Sequence, residues 1–150
     1  MFDSSRHLIE EELETHGTYA SVTKGVSMRP LFKTDRDMVI ISPPKGELRK
    51  YDVALYRDGT GKYILHRVIR VEKDHYIIRG DNTYVREVVA KSRVIGVLTE
   101  FNRKGKHHTV NDFSYRFYAR FWNFIYPLRA CAYFTLRFAK RTVKRILGRK

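Results

Sequence analysis

Ser27 stands in Gly25-Val26-Ser27-Met28-Arg29-Pro30, close to a glycine on one side and a proline on the other. Gly25 permits a tight backbone, and Pro30 fixes the chain just beyond. A serine nucleophile needs such an exposed, rigid turn, with backbone N–H groups nearby for a developing oxyanion. An ordinary turn serine has the same surroundings. His66 lies mid-strand in Ile64-Leu65-His66-Arg67-Val68-Ile69. Its type suits general-base work near neutral pH, with an unperturbed pKa of about 6.5; a core histidine would look no different. Arg79-Gly80-Asp81-Asn82 follows a strand and reads by default as turn chemistry. His107-His108 lacks metal-ligand spacing and reads as solvated loop. Cys131 is the single cysteine, which excludes an internal disulfide framework and a Cys-based zinc site. It is expected to pack on the apolar side of a helix. No metal or cofactor is expected.

These residues need a scaffold. A short helix is predicted within residues 1–17, capped by Ser4 or Ser5, with Leu8, Ile9 and Leu13 as its apolar edge and Gly17 as its stop. Strands are predicted at Tyr19-Ala20-Ser21-Val22, at Met38-Val39-Ile40-Ile41 before Pro43-Pro44, and at Asp52-Val53-Ala54-Leu55-Tyr56. Tyr63 to Val71 and Tyr76 to Arg79 read as a hairpin around Lys73-Asp74, and Ser92 to Leu98 as a last strand. Short strands with frequent turns predict a compact, mainly β body over residues 18–112.

Taken together, the boxes resemble the signal peptidase I family of serine proteases, the wider group that includes self-cleaving LexA-type repressors. The family's nucleophile box, Ser-Met-x-Pro, is matched by Ser27-Met28-Arg29-Pro30. Lys50-Tyr51-Asp52-Val53-Ala54-Leu55 is similar to a strand box in which Gly-Asp precedes an apolar run, with Tyr51 in place of the glycine. His66-Arg67-Val68-Ile69 resembles the general-base box of the His type found in the endoplasmic reticulum and in archaea. Gly80-Asp81-Asn82 and Val94-Ile95-Gly96 match the last two boxes, in family order, so that the resemblance spans about Gly25 to Val97. It implies a signal-peptidase/LexA-like β fold and a serine endopeptidase. Ser27 would attack the scissile carbonyl, and His66 would take the proton and return it to the leaving amine. A carboxylate would orient the imidazole. Asp81 is the first choice for that role, and Glu87, a few residues downstream, is the alternative. Lys24 does not align with the lysine base of the bacterial type. Many members have a hydroxyl residue two positions before the nucleophile. Gly25 stands there, so the oxyanion hole is expected to use backbone N–H groups, chiefly that of Ser27, with Thr23 as a further candidate donor. A small-residue preference before the cut is also implied.

The charge is unevenly spread. The 150 residues hold 30 Lys+Arg and 16 Asp+Glu, a net +14. Residues 113–150 contain ten basic residues and no acid, so the tail has +10 and the first 112 residues +4. Pro127 is expected to divide this tail into two helices. From 128 to 147, Arg129, Arg137, Lys140, Arg141, Lys144 and Arg145 fall on one side at helical spacing. Leu128, Cys131, Ala132, Leu136, Phe138, Ala139, Val143 and Ile146 fall on the other. A basic amphipathic helix with an aromatic lead-in predicts a segment lying in an anionic membrane interface. The competing expectation is a helix docked on the body. No nucleic-acid partner is expected.

The polar, acidic stretch from Met1 to Gly17 is not a signal peptide, and no spanning segment is visible. The expected site of action is therefore peripheral, on the cytoplasmic face of a membrane, with a signal or leader peptide or a preprotein as substrate. Two other function classes compete. A LexA-like self-cleaving regulator would bind DNA. A catalytically inactive binding scaffold would use the same β body without its chemistry.

Overall fold

The computed structural model describes residues 4–147. The chain runs α1 (Ser4–His16), β1 (Tyr19–Val22), β2 (Met38–Ser42), β3 (Val53–Arg57), β4 (Tyr63–Val71), β5 (His75–Arg79) and β6 (Glu87–Ala90). After a 3₁₀ turn at Lys91–Arg93 come β7 (Val94–Arg103), β8 (Lys106–Thr109), α2 (Phe113–Phe124) and α3 (Tyr126–Leu147). The fold is mainly β, with a short N-terminal helix and a helical C-terminal segment, as the sequence predicts. The suggested cap at Ser4 or Ser5 and the contacts of Leu8 and Ile146 fall outside the described side chains; Arg149 and Lys150 fall outside the described residues.

All eight strands join one antiparallel sheet in the order β1-β2-β7-β3-β4-β5-β6, with β8 on β7. β6 and β8 escape the sequence reading because Glu87-Val88-Val89-Ala90 shows no polar–apolar alternation and Lys106-His107-His108-Thr109 has no apolar residue. His107 and His108 lie in β8 rather than in a loop. His107 meets Glu100 at 2.9 Å, and His108 stacks on Phe101.

The period of two along a strand sends alternate side chains to opposite faces. In β3, Val53 and Leu55 enter a core with Leu13, Met28, Leu31, Phe32, Ile41, Leu98, Phe101 and Tyr115. Ala54 and Tyr56 enter a second core with Leu48, Val68, Tyr76, Ile78 and Val89. β3 is thus buried on both faces, which accounts for its nearly continuous apolar run. Gly96 sits where a Cβ would collide with Ile41, so the Val-Ile-Gly box lets two paired strands pack closely.

α2 packs against the body through Tyr115 and Ala119, which are buried. Pro127 is the second residue of α3, a position that needs no N–H, so two helices form where the sequence predicts them. From Cys131 to Arg145 every residue of α3 is exposed, Cys131 included, so the packing expected of that thiol is not made. No helix among the described residues is long and apolar enough to cross a membrane.

Candidate active site

Ser27 follows a backbone shaped by Gly25, whose φ of +80° lies where a side chain is strained. Met28, Leu31 and Phe32 plunge into the first core just after it. These apolar anchors hold the loop while Ser27 stays half-buried at the surface. The far end of the loop is tied by Asp37. Its carboxylate accepts from Lys33 N (2.7 Å), Lys104 N (3.2 Å) and the Arg36 guanidinium. Against its burial, Arg36 and these backbone donors hold the Asp37 carboxyl down to about 2. The Thr23 hydroxyl, expected as a further donor, instead donates to the carbonyls of Lys33 or Asp37 at 3.1 Å and closes the loop. Among the described residues, the Ser27 N–H meets no acceptor, which leaves that donor free.

Gly80 joins the serine to the histidine. A Cβ on Gly80 would lie 3.0 Å from His66 Nε2, 3.1 Å from Ser27 Cβ and 2.7 Å from the Ser27 carbonyl oxygen. Ser27 and the imidazole therefore meet at the same bare backbone. Asn82 holds the turn in register. Its N–H donates to the Ser27 carbonyl at 2.7 Å, and its side-chain amide donates to the Val26 carbonyl at 3.2 Å.

His66 is buried on β4, opposite Ala54 of β3. It faces the side of the second core. Its Nδ1 lies 3.0 Å from Glu87 Oε1 and 3.3 Å from the Tyr56 hydroxyl, and that hydroxyl donates to Glu87 Oε2 at 2.7 Å. An ionised carboxylate only accepts, so the neutral ring must place its proton on Nδ1. The Nε2 lone pair is then left on the side of Gly80, where Ser27 Cβ also stands, and no hydrogen bond joins Nε2 to Ser27 Oγ among the described residues. Burial pushes the His66 pKa below its ordinary value, against the opposing pull of Glu87 and, more weakly, Asp81. At neutral pH the ring is uncharged and can accept a proton.

The contact with His66 expected first of Asp81 is made by Glu87. The reason is strand parity. Arg67, next to His66, turns to the opposite face and takes Asp81 in a bidentate pair, both bonds 2.8 Å, with each side chain almost fully buried. The Tyr118 hydroxyl adds a third bond to the Asp81 carboxylate at 3.0 Å. Glu87 begins β6 and pairs with Ile78 of β5, which pairs with Val68 of β4, so it stands on the His66 face two strands away. Tyr56 is the residue that sequence reasoning missed, and Arg67, whose charge reads in the sequence as solvated or flanking the cleft, is fully buried instead. The strand alternation of Tyr56 was a usable signal, but the short β6 that completes its environment was not.

The tail helices bear on this turn. Trp122 Nε1 and Arg129 Nη2 each donate to the Asp81 carbonyl at 2.9 Å, and Arg79 donates to Asn123 at 2.8 Å. The Arg129 guanidinium lies 3.7 Å from the Trp122 ring centre, and Arg79 lies 3.4 Å from that of Tyr126. Docking thus occupies α2 and the first turns of α3, and the remainder of α3 projects away from the body. Among the described residues, no group of histidine, cysteine or acidic side chains could hold a metal ion. No protein-family model matches the chain, and no curated protein matches it.

Proposed function

We propose that the chain is a serine endopeptidase of the signal-peptidase type, with Ser27 as nucleophile, His66 as general base and Glu87 as the carboxylate that orients His66. The reading rests on one arrangement: Ser27 and His66 Nε2 converge at Gly80, and the far ring nitrogen is held by Glu87. Ser27 Oγ would attack the peptide carbonyl carbon as its proton passes to His66 Nε2. The Ser27 N–H would take the oxyanion. On collapse, the C–N bond breaks and His66 returns the proton to the leaving amine. Water, deprotonated by the same nitrogen, then frees the acyl group and restores Ser27. Glu87 stabilises the transient imidazolium without taking its proton, and Tyr56 holds the other carboxylate oxygen.

The proposed place of work is a membrane surface. The +10 of residues 113–150 supports it, as does the exposed stretch of α3 with Leu136, Phe138 and Val143 uncovered. A signal or leader peptide met at that surface is the proposed substrate, and the cytoplasmic face the proposed side. The experiment is cleavage of a leader-peptide substrate by the full chain. Ser27→Ala and His66→Ala should each lower kcat by a factor on the order of 10⁶, as for nucleophile and base in other serine proteases. A fully active Ser27→Ala protein would end the peptidase reading.

A further inference from the structure

Two neighbouring features of α2 lie apart from the catalytic groups. Phe113, Phe117, Phe121 and Phe124 form an exposed ridge along one side of the helix, the end rings being 84% and 81% exposed. The first three stack in sequence, with centroids 6.4 and 5.8 Å apart. Beside them, a cleft of about 290 Å³ opens between α2 and the segment 49–53. Arg49, Lys50, Arg116 and Arg120 line it against a single carboxylate, Asp52, which already accepts from the Arg49 N–H at 2.7 Å. At about 100° per residue, Arg116 and Arg120 fall on the flank between the phenylalanine ridge and the docked residues Tyr115 and Ala119.

Four cations around one engaged carboxylate make a site for an anion. Guanidinium groups suit phosphate oxygens because their planar forks donate in pairs. An apolar aromatic ridge alongside suits the acyl boundary of a bilayer, where a helix lies with its apolar face down. We propose that this cleft receives the headgroup phosphate of an anionic phospholipid while the phenylalanine ridge enters the interface beside it. The inference deepens the membrane part of the reading above and is independent of the chemistry assigned to Ser27.

The consequence is orientation. Arg49 and Lys50 belong to the body, so the body itself is held to the lipid and does not merely hang from α3. Tyr51 and Tyr115 also line the cleft. The Tyr51 carbonyl and the Tyr115 hydroxyl both accept from Arg67 Nη1, at 2.9 and 3.1 Å, and the other edge of that guanidinium holds Asp81 beside the proposed active site.

The test is co-sedimentation of the full chain with phosphatidylcholine vesicles containing a third phosphatidylglycerol, without substrate, so that its outcome is separate from that of Ser27→Ala. The double variant Arg49→Ala/Lys50→Ala removes two cations outside the tail and should bind these vesicles roughly 30-fold more weakly. Phe117→Ser/Phe121→Ser should weaken binding as well. All four residues are exposed, and unchanged circular dichroism would establish that both variants fold. Unchanged binding of the first variant overturns the headgroup site while leaving a tail-only membrane attachment standing. Failure of the wild-type chain to bind any vesicle overturns both. If the first variant loses affinity for inorganic phosphate, or for duplex DNA, with vesicle binding intact or absent, the cleft serves that ligand and the lipid assignment is wrong.

Discussion

His66 and Arg67 are consecutive residues of one strand, yet they hold different carboxylates on opposite faces of the sheet. His66 Nδ1 meets Glu87 at 3.0 Å, and Arg67 grips Asp81 through two bonds of 2.8 Å. One acid is therefore placed to orient an imidazole. The other neutralises a buried guanidinium.

The two acids should fail differently. Glu87→Gln should leave the fold intact and lower kcat/KM on the order of 10⁴ at neutral pH, the scale of losing the orienting carboxylate in serine-protease triads. Asp81→Ala leaves Arg67 buried without its counter-charge and should cost about 3–5 kcal/mol of stability. Urea unfolding beside peptide cleavage separates them. A stable, inactive Asp81→Ala protein together with an active Glu87→Gln protein would reverse the assignment.

The pH dependence follows from His66. The proposed base is the neutral ring, and its folded pKa is lowered by burial. Activity should therefore rise with pH along a limb lying below the ordinary imidazole value of about 6.5. Glu87 pulls this pKa upward, so Glu87→Gln should move the limb further down. A limb at or above the ordinary value would contradict the buried neutral ring. Stability has the matching sign. His66 favours the fold fully above its unfolded pKa, and that contribution is lost as pH falls toward the folded one. Asp37 acts at lower pH: its share is complete above its unfolded value of 3.8 and is lost as pH falls to about 2.

Gly80→Ala tests the convergence of serine and histidine. The added methyl would stand 2.7 Å from the Ser27 carbonyl oxygen and 3.0 Å from His66 Nε2, inside normal contact. The turn must move away, which breaks the Asn82 bond to Ser27. We expect kcat/KM to fall at least about 10²-fold, in keeping with misplacement on the scale of 1 Å, with about 1–3 kcal/mol of destabilisation. Activity within a factor of two of wild type would show that the turn does not position the pair.

Tyr51 has a φ of +83°, in the left-handed region that favours glycine. A non-glycine residue there is strained by about 1–2 kcal/mol, partly offset by the lower unfolded-state entropy of a side-chain-bearing residue. Tyr51→Gly should leave the protein equally stable or up to about 1 kcal/mol more stable in urea unfolding. A loss beyond about 1 kcal/mol would mean that the tyrosine ring, beside Lys50 and the basic cleft, supports the fold more than its backbone strains it.

Much of this protein is legible along the chain. Strand alternation, the Gly/Pro loop around Ser27, the turn at Gly80 and the proline between the tail helices are local features, set within a few residues by sterics and by side-chain period. β1 to β5, β7 and both tail helices follow from them. What the chain alone left open is non-local. Whether Asp81 or Glu87 stands beside His66 depends on pairing register across β4, β5 and β6, where one step of parity moves a side chain to the other face. Which side of the basic, aromatic tail meets the body was likewise decided by tertiary contacts. Tyr115, Tyr118 and Trp122 found buried polar partners in Arg67 and Asp81, whereas the phenylalanines, with no polar handle, were left outward. A helical wheel shows that two faces differ. Only the surface they are offered determines which one is covered.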